Sequence, residues 1–125
     1  MVYFIDSNVF VKYFQDNPQR EKCRQILSED FITDSLCIIE TGNVILKLSK
    51  DREFTANCLR SIYRSDGIIE PLDINLGYET LKRIAKYDLS FYDLVHYVCA
   101  LLNNCEAIVS YDKAFDGLEL KRVEP

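Results

Sequence analysis

A three-layer α/β/α sandwich around a mostly parallel sheet is the fold that this 125-residue chain predicts. Two observations point to it. Short runs of apolar, β-branched and aromatic residues alternate with longer segments of helical periodicity. No two-residue hairpin turn joins consecutive runs, so neighbouring strands must be linked by crossovers, which makes the sheet mostly parallel and covers both its faces. The length suits one domain over residues 1–125, enough for one core and too little for two. At 48% hydrophobic and 28% charged residues, the composition is globular and argues against a disordered or fibrous chain.

Val2 to Ile5 reads as a buried first strand with Asp6 at its C-terminal end. Val9-Phe10-Val11-Lys12-Tyr13-Phe14 predicts a helix, stopped by Asn17-Pro18 because proline pushes the residue before it out of the helical region. A second helix is expected from Gln19 to Leu27. Phe31-Ile32-Thr33 is a brief second strand, after which Asp34 or Ser35 can cap a helix carrying Leu36, Ile39, Asn43 and Leu46, with Glu40 inside it. Arg52 to Arg64 predicts a further helix, closed by Ser65-Asp66-Gly67 before the strand Ile68-Ile69 and the breaker Pro71. A polar-rimmed helix runs from Leu76 to about Lys86. Ser90-Phe91-Tyr92-Asp93 opens the clearest helix, whose stripe Leu94, Val98, Leu101 and Leu102 has the spacing of a buried face; it ends near Asn103-Asn104. Ala107-Ile108-Val109-Ser110 is another buried strand, and Leu118 to Val123 adds a last one beyond Asp116-Gly117.

Bulk properties exclude several functions. The N-terminus lacks a basic leader and its apolar run is broken at once by Asp6, so neither a signal peptide nor a membrane span is expected, and the protein is read as soluble and cytoplasmic. Five widely spaced cysteines with no CxxC pair suit neither a disulfide framework nor a zinc site, and they read as small buried hydrophobes. Twenty acidic against fifteen basic side chains give a net charge of −5, so any grip on nucleic acid must be local. A single histidine and no nucleophile motif leave little room for serine- or cysteine-protease chemistry.

Four acids stand out. Asp6 follows the first strand and Asp112 lies two residues after Ser110, so in a parallel sheet both project from the same edge, where ligands of such folds gather. Asp6 also reads as a helix N-cap, and Ser90-x-x-Asp93 resembles a capping box whose acid can lean over the sheet edge. Glu40 sits in an apolar helix, where it reads as a partly buried acid in need of a partner, and equally as a surface position on an uneven helix or one half of an ion pair with a lysine or arginine. Carboxylates within about 4 Å repel by about 4 kcal/mol per pair at an effective dielectric near 20, so a cluster must be protonated or bind metal. Oxygen ligands without His or Cys select Mg²⁺ or Mn²⁺. His96 lies three residues from Asp93 but reads as structural, with no catalytic role.

Taken together, VYFIDSNV, the helical Glu40, LSFYDLVHYVCALLNN and AIVSYDKAF resemble the PIN domain, in particular the VapC-type toxin ribonucleases, in an order and spacing that cover nearly the whole chain. The resemblance implies a PIN-like fold and hydrolysis of RNA phosphodiesters by metal-activated water, in an Mg²⁺- or Mn²⁺-dependent endoribonuclease. It makes Asp6, Glu40, Asp93 and Asp112 the catalytic metal-binding acids, with Asp116 an additional candidate ligand. Ser110 and Asn8 match supporting polar positions. It also implies an antitoxin partner, as in a type II toxin–antitoxin pair, and a homodimer. Lys12, Lys47, Lys50, Arg52 and Lys113 are candidate RNA contacts, and equally read as ordinary surface charges. Two features depart from the family pattern. Thr41-Gly42 follows Glu40 where bulky residues are commoner, so Gly42 marks either close packing or a bend that displaces Glu40. Asp116 precedes Gly117 and suits a turn equally well.

Two alternatives carry different chemistry. A receiver-type or phosphatase-type domain also places an acid after its first strand, but it usually shows a second acid beside it, where this chain has Ser7-Asn8. A non-cleaving PIN-like module would bind RNA or a protein through Phe10, Tyr13 and Phe14, residues that serve equally well as core.

Overall fold

The apolar run at the start of the chain forms β1 (Tyr3–Ile5), the middle strand of a five-stranded sheet in the computed structural model, which describes residues 2–125. β1 leads into α1 (Ser7–Phe14) and α2 (Arg20–Leu27), then β2 (Phe31–Asp34), α3 (Ser35–Ser49) and α4 (Arg52–Tyr63). β3 (Ile68–Glu70), α5 (Ile74–Leu81), α6 (Phe91–Leu102) and β4 (Ala107–Val109) follow; a 3₁₀ turn at Lys113–Phe115 precedes β5 (Lys121–Val123). The strand order is β3-β2-β1-β4-β5 and every pairing is parallel, as crossover connections require. Among the described residues no helix is long and apolar enough to cross a membrane.

Alternation along the strands sorts the core into two layers. Phe4, Ile32 and Ile108 pack with Leu94, Val98 and Tyr97 of α6 and with Phe115 on one face. Ile5, Phe31 and Val109 pack with Val9 and Phe10 of α1, Cys23 of α2 and Ile62 of α4 on the other. Helix α3 contributes to both layers, Cys37 to the first and Ile38 to the second, so it lies across the end of the sheet. That placement brings its inner side to the strand C-termini.

Several boundaries and faces differ from those read in the sequence. The buried side of α3 is Cys37, Ile38, Thr41 and Ile45, whereas Ile39 is 65% exposed and Asn43 lies outside, because the helix must satisfy two layers at once. The helix expected over 76–86 is α5 at Ile74–Leu81, started two residues earlier by Asp73, whose carboxylate accepts from Leu76 N, and followed by turns. In α6, burial is not a stripe: Leu94 to Ala100 are all buried, and Leu102 is 45% exposed. The last strand is confined to Lys121–Val123.

Gly42 lies within an unbroken α3, and a Cβ there would meet the Leu59 side chain at 2.9 Å, so the residue permits close approach of α3 and α4. Gly67 is tighter: a Cβ there would stand 2.2 Å from the Phe31 ring, itself edge-on to Phe10. Gly67→Ala is expected to destabilise the fold by about 1–3 kcal/mol through overpacking. Gly77→Ala, in the open middle of α5 with nothing within 4 Å, should stabilise it by roughly 0.5–1 kcal/mol. Urea denaturation of the two variants checks this, and similar shifts for both would contradict the packing described here.

Candidate metal centre

Strand alternation selects which side chains reach the end of the sheet on the α6 face. Phe4 faces α6, so two residues on Asp6 does too; the same step takes Ile32 to Asp34 and Ile108 to Ser110. Parallel register sets these three side by side, since Phe4 pairs with Ile32 and Ile5 with Val109. Above them the first turn of α6 presents Asp93 and, three residues on, His96, while α3 presents Cys37 and Glu40 at the same spacing.

Asp6 is 4% exposed and works twice. Its Oδ1 accepts from Ser7 N at 2.8 Å, capping α1, and its Oδ2 accepts from Ser110 Oγ at 2.6 Å and Asn8 Nδ2 at 3.2 Å. The cap and the site role anticipated for Asp6 are therefore geometrically compatible. Ser110 Oγ also accepts from Asp112 N at 2.9 Å, and Asn8 Oδ1 accepts from Tyr111 N at 3.2 Å, so both small polar residues tie the end of β1 to the chain leaving β4. Burial raises the Asp6 pKa above the ordinary 3.8, as does Glu40 nearby, against the lowering effects of His96, Ser110 and Ser7.

Glu40 finds its partner in His96, not in a lysine or arginine: its Oε1 lies 2.8 Å from Nε2. The other ring nitrogen, Nδ1, lies 2.7 Å from Asp34 Oδ2. Asp34 Oδ1 in turn accepts from Cys37 N at 2.8 Å and caps α3, and Cys37 Sγ lies 3.4 Å from Nδ1. His96 is 1% exposed and Asp34 fully buried. Burial opposes the charged ring, but the contacts with Cys37, Asp34 and Glu40 outweigh it and hold the His96 pKa above its ordinary value. Burial pushes the Cys37 thiol up to about 12. Among the described residues, Asp6, Cys37, Glu40 and His96 form a group able to hold a metal ion, with one ligand atom from each lying within 4.8 Å of the others.

Asp93 is half-buried at the start of α6, its backbone N donating to Ser90 Oγ at 3.2 Å. Its pKa is raised, first by burial and then by the charge of Asp112, with a smaller contribution from Asp6, so the three carboxylates share one field. Asp112 Oδ1 accepts from Ala114 N at 2.9 Å and starts the 3₁₀ turn. Asp116 departs from the ligand position anticipated for it: its Oδ1 is held by Arg122 Nε at 2.6 Å on the exposed side of the turn. Arg122 also bonds Glu124 and the carbonyl of Ser110, so the turn reading accounts for Asp116. The buried roles of His96, Asp34 and Cys37 were missed in the sequence; the available signal was the i, i+3 spacing that pairs His96 with Asp93 and Cys37 with Glu40.

Raised carboxyl values mean that the folded chain keeps protons on Asp6 and Asp93 that the unfolded chain releases. Their contribution to stability is present below pH 3.8 and lost as pH rises through the raised values; His96 adds a loss that begins at its ordinary 6.5. Surface acids such as Glu79, lowered chiefly by Lys82, act in the opposite sense only below their ordinary 4.5. In EDTA the urea midpoint is therefore expected to fall between about pH 5 and about pH 8, and a hard dication should restore it by binding the folded state alone. A midpoint that climbs across this range, unaffected by Mg²⁺ or Mn²⁺, would contradict these assignments.

Solved structures that share this architecture include toxins and toxin–antitoxin assemblies. The chain is similar to VapC20 of Mycobacterium tuberculosis, a sarcin-ricin loop cleaving toxin, at 14% identity and TM-score 0.81, covering 98% of this chain and 99% of that one. A toxin–antitoxin complex from Klebsiella pneumoniae matches at 14% identity and TM-score 0.76 over 98% and 97% of the two chains. VapBC2 of Rickettsia felis, bound to a fragment of its promoter DNA, matches at 17% identity and TM-score 0.76 over 99% and 98%. At these identities the likeness shows the fold. Comparison with curated protein sequences returns no match. The PIN domain family model matches residues 3–120, nearly the full length, and the chain belongs to that family.

Proposed function

We propose that this chain is a metal-dependent endoribonuclease that hydrolyses RNA phosphodiester bonds and serves as the toxin of a type II toxin–antitoxin pair. The observation that carries this reading is the convergence of Asp6 and Glu40 at the C-terminal end of the sheet, with Asp93 and Asp112 in the same electrostatic field. Among the described residues, His96 is the one cation paired with these acids, so the pocket carries surplus negative charge. That surplus suits a hard dication, Mg²⁺ or Mn²⁺, held by oxygens of Asp6, Glu40, Asp93 and Asp112. When bound, such an ion lowers the pKa of water and stabilises charge on phosphate oxygens.

The remaining work falls to the chain itself. Ser110 and Asn8 aim Asp6, and His96 aims Glu40, so these two ligands are held before any ion arrives. Asp93 and Asp112 are partly exposed and meet incoming water and phosphate; Asp93, with its raised pKa, is suited to orient the water and take its proton. Lys12, Lys47, Lys50, Arg52 and Lys113 are proposed phosphate contacts, with Lys12 Nζ resting 5.0 Å from the centre of the Tyr111 ring.

The three similar structures support the partners. One is described as a sarcin-ricin loop cleaving toxin, another as a toxin–antitoxin complex and a third as VapBC2 bound to a DNA fragment from its promoter. Phe10, Tyr13, Phe14, Leu27, Phe31 and Ile62 line an apolar groove of about 130 Å³ between α1, α2 and α4, proposed as the seat of an antitoxin segment. Ile74, Tyr78 and Leu81 form an exposed apolar stripe on α5 that supports a homodimer. The proposed place of action is the cytoplasm, where both RNA and antitoxin occur.

Purified protein incubated with structured RNAs and Mn²⁺ or Mg²⁺ is expected to cleave them, and EDTA to abolish cleavage. Asp6→Asn removes a central ligand worth several kcal/mol of charge stabilisation, so the rate should drop on the order of 10³-fold. Cleavage that survives both EDTA and Asp6→Asn would overturn the mechanism. RNA binding without cleavage under any metal would instead favour a non-cleaving module.

A further inference from the structure

We propose that Asp6, Cys37, Glu40 and His96 form a site for Zn²⁺ that overlaps the place of the hard ion, so that zinc occupies the pocket and blocks the reaction. The blocking rests on the nuclease reading above; the binding does not.

The donor set is what sets this site apart. Two carboxylate oxygens, an imidazole nitrogen and a sulfur lie within 4.8 Å of one another, presented by the end of β1, by α3 and by α6. A tetrahedral ion with bonds of about 2.0–2.3 Å keeps its ligand atoms roughly 3.3–3.8 Å apart. His96 Nε2 is already 2.8 Å from Glu40 Oε1, whereas Cys37 Sγ lies 3.9 Å from Nε2 and 3.4 Å from Nδ1, so closing on one ion needs the Cys37 side chain to rotate toward the Nε2 side. Nitrogen and sulfur donors disfavour Mg²⁺ and favour zinc-like ions.

The surroundings match those of a working metal histidine. Asp34 Oδ2 accepts from Nδ1 at 2.7 Å, which leaves Nε2, beside Glu40 Oε1, as the nitrogen able to bind an ion; a carboxylate behind a ligating imidazole fixes its tautomer and raises its basicity. The same Asp34 holds the Cys37 backbone through Oδ1, so one buried residue sets two ligands. The exchange of charge is balanced as well. One Zn²⁺ enters and two protons leave for solvent, the one shared between Nε2 and Oε1 and the one on the Cys37 thiol, so the pocket's total charge is unchanged. Desolvation, the usual obstacle to placing an ion here, is thereby offset.

The test is titration of the purified full-length chain with Co²⁺, a coloured stand-in for Zn²⁺. The wild type is expected to develop the intense visible bands of tetrahedral cobalt and a thiolate charge-transfer band in the near ultraviolet, all bleached by stoichiometric Zn²⁺. Cys37→Ser should lose the charge-transfer band. Asp34→Asn retains an oxygen to cap α3 but turns an amide N–H toward Nδ1, which moves the ring proton to Nε2, so affinity should fall about 10–100-fold. Pale octahedral spectra in the wild type, or a thiolate band that persists in Cys37→Ser and so arises from the other cysteines, would overturn the site. In a parallel assay, Mn²⁺-supported RNA cleavage should be lost over the Zn²⁺ range that bleaches the cobalt bands. Full cleavage with the site saturated by zinc would refute the overlap. An absence of cleavage with Mn²⁺ alone would count against the nuclease reading and leave the spectra to decide zinc binding.

Discussion

Compensation of buried negative charge organises this molecule. Asp34 lies at the end of β2 with no exposure, bonded through Oδ1 to the first turn of α3 and through Oδ2 to His96 of α6. One carboxylate thus fastens two helices to the sheet at the point where function gathers. The imidazole it holds passes the constraint to Glu40, and Glu40 and Asp6 then face each other across the pocket. Removing one member of a buried pair of this kind costs on the order of 3–5 kcal/mol, a large share of the stability of a small domain. The same bonds that hold α3 and α6 therefore decide where the acids point.

Most of the architecture was legible because it depends on short-range pattern. The short apolar runs around Phe4, Ile32, Ile69 and Ile108, separated by helical segments, were enough to specify a parallel sheet, and the position of Asp6 and Asp112 at strand ends follows from that sheet alone. Errors arose where tertiary packing overrides local pattern. Ile39 follows the helical spacing of a core residue but is exposed, because α3 crosses the sheet end and packs through Ile38, Thr41 and Ile45. Leu102 belongs to the expected stripe of α6 but is 45% exposed at the last residue of the helix.

The candidate site was half legible for a related reason. Strand ends and helix first turns named Asp6, Asp93 and Asp112 as acids at one edge, and an acid in an apolar helix named Glu40 as needing a partner. The partner itself was hidden, since no pattern in one chain links Glu40 to a residue so far along it. Asp34 was visible only as a cap, because the bond from its second oxygen to His96 is set by the docking of α6. In the sequence Cys37 reads as a small buried hydrophobe, as free cysteines usually are; its place beside His96 follows from α3 lying across both layers. The apparent poverty of soft ligands in the sequence was thus a matter of distance along the chain.

All five thiols are buried and unpaired, spread over α2, α3, α4, α6 and the approach to β4. Burial shields all five from alkylating reagents, and it raises Cys105 to about 11 and Cys37 to about 12, which keeps those two protonated in the closed fold. Each becomes reactive when its own segment breathes open. The protein thereby carries five internal clocks, and the order in which they are labelled would chart which layers loosen first without a single added probe.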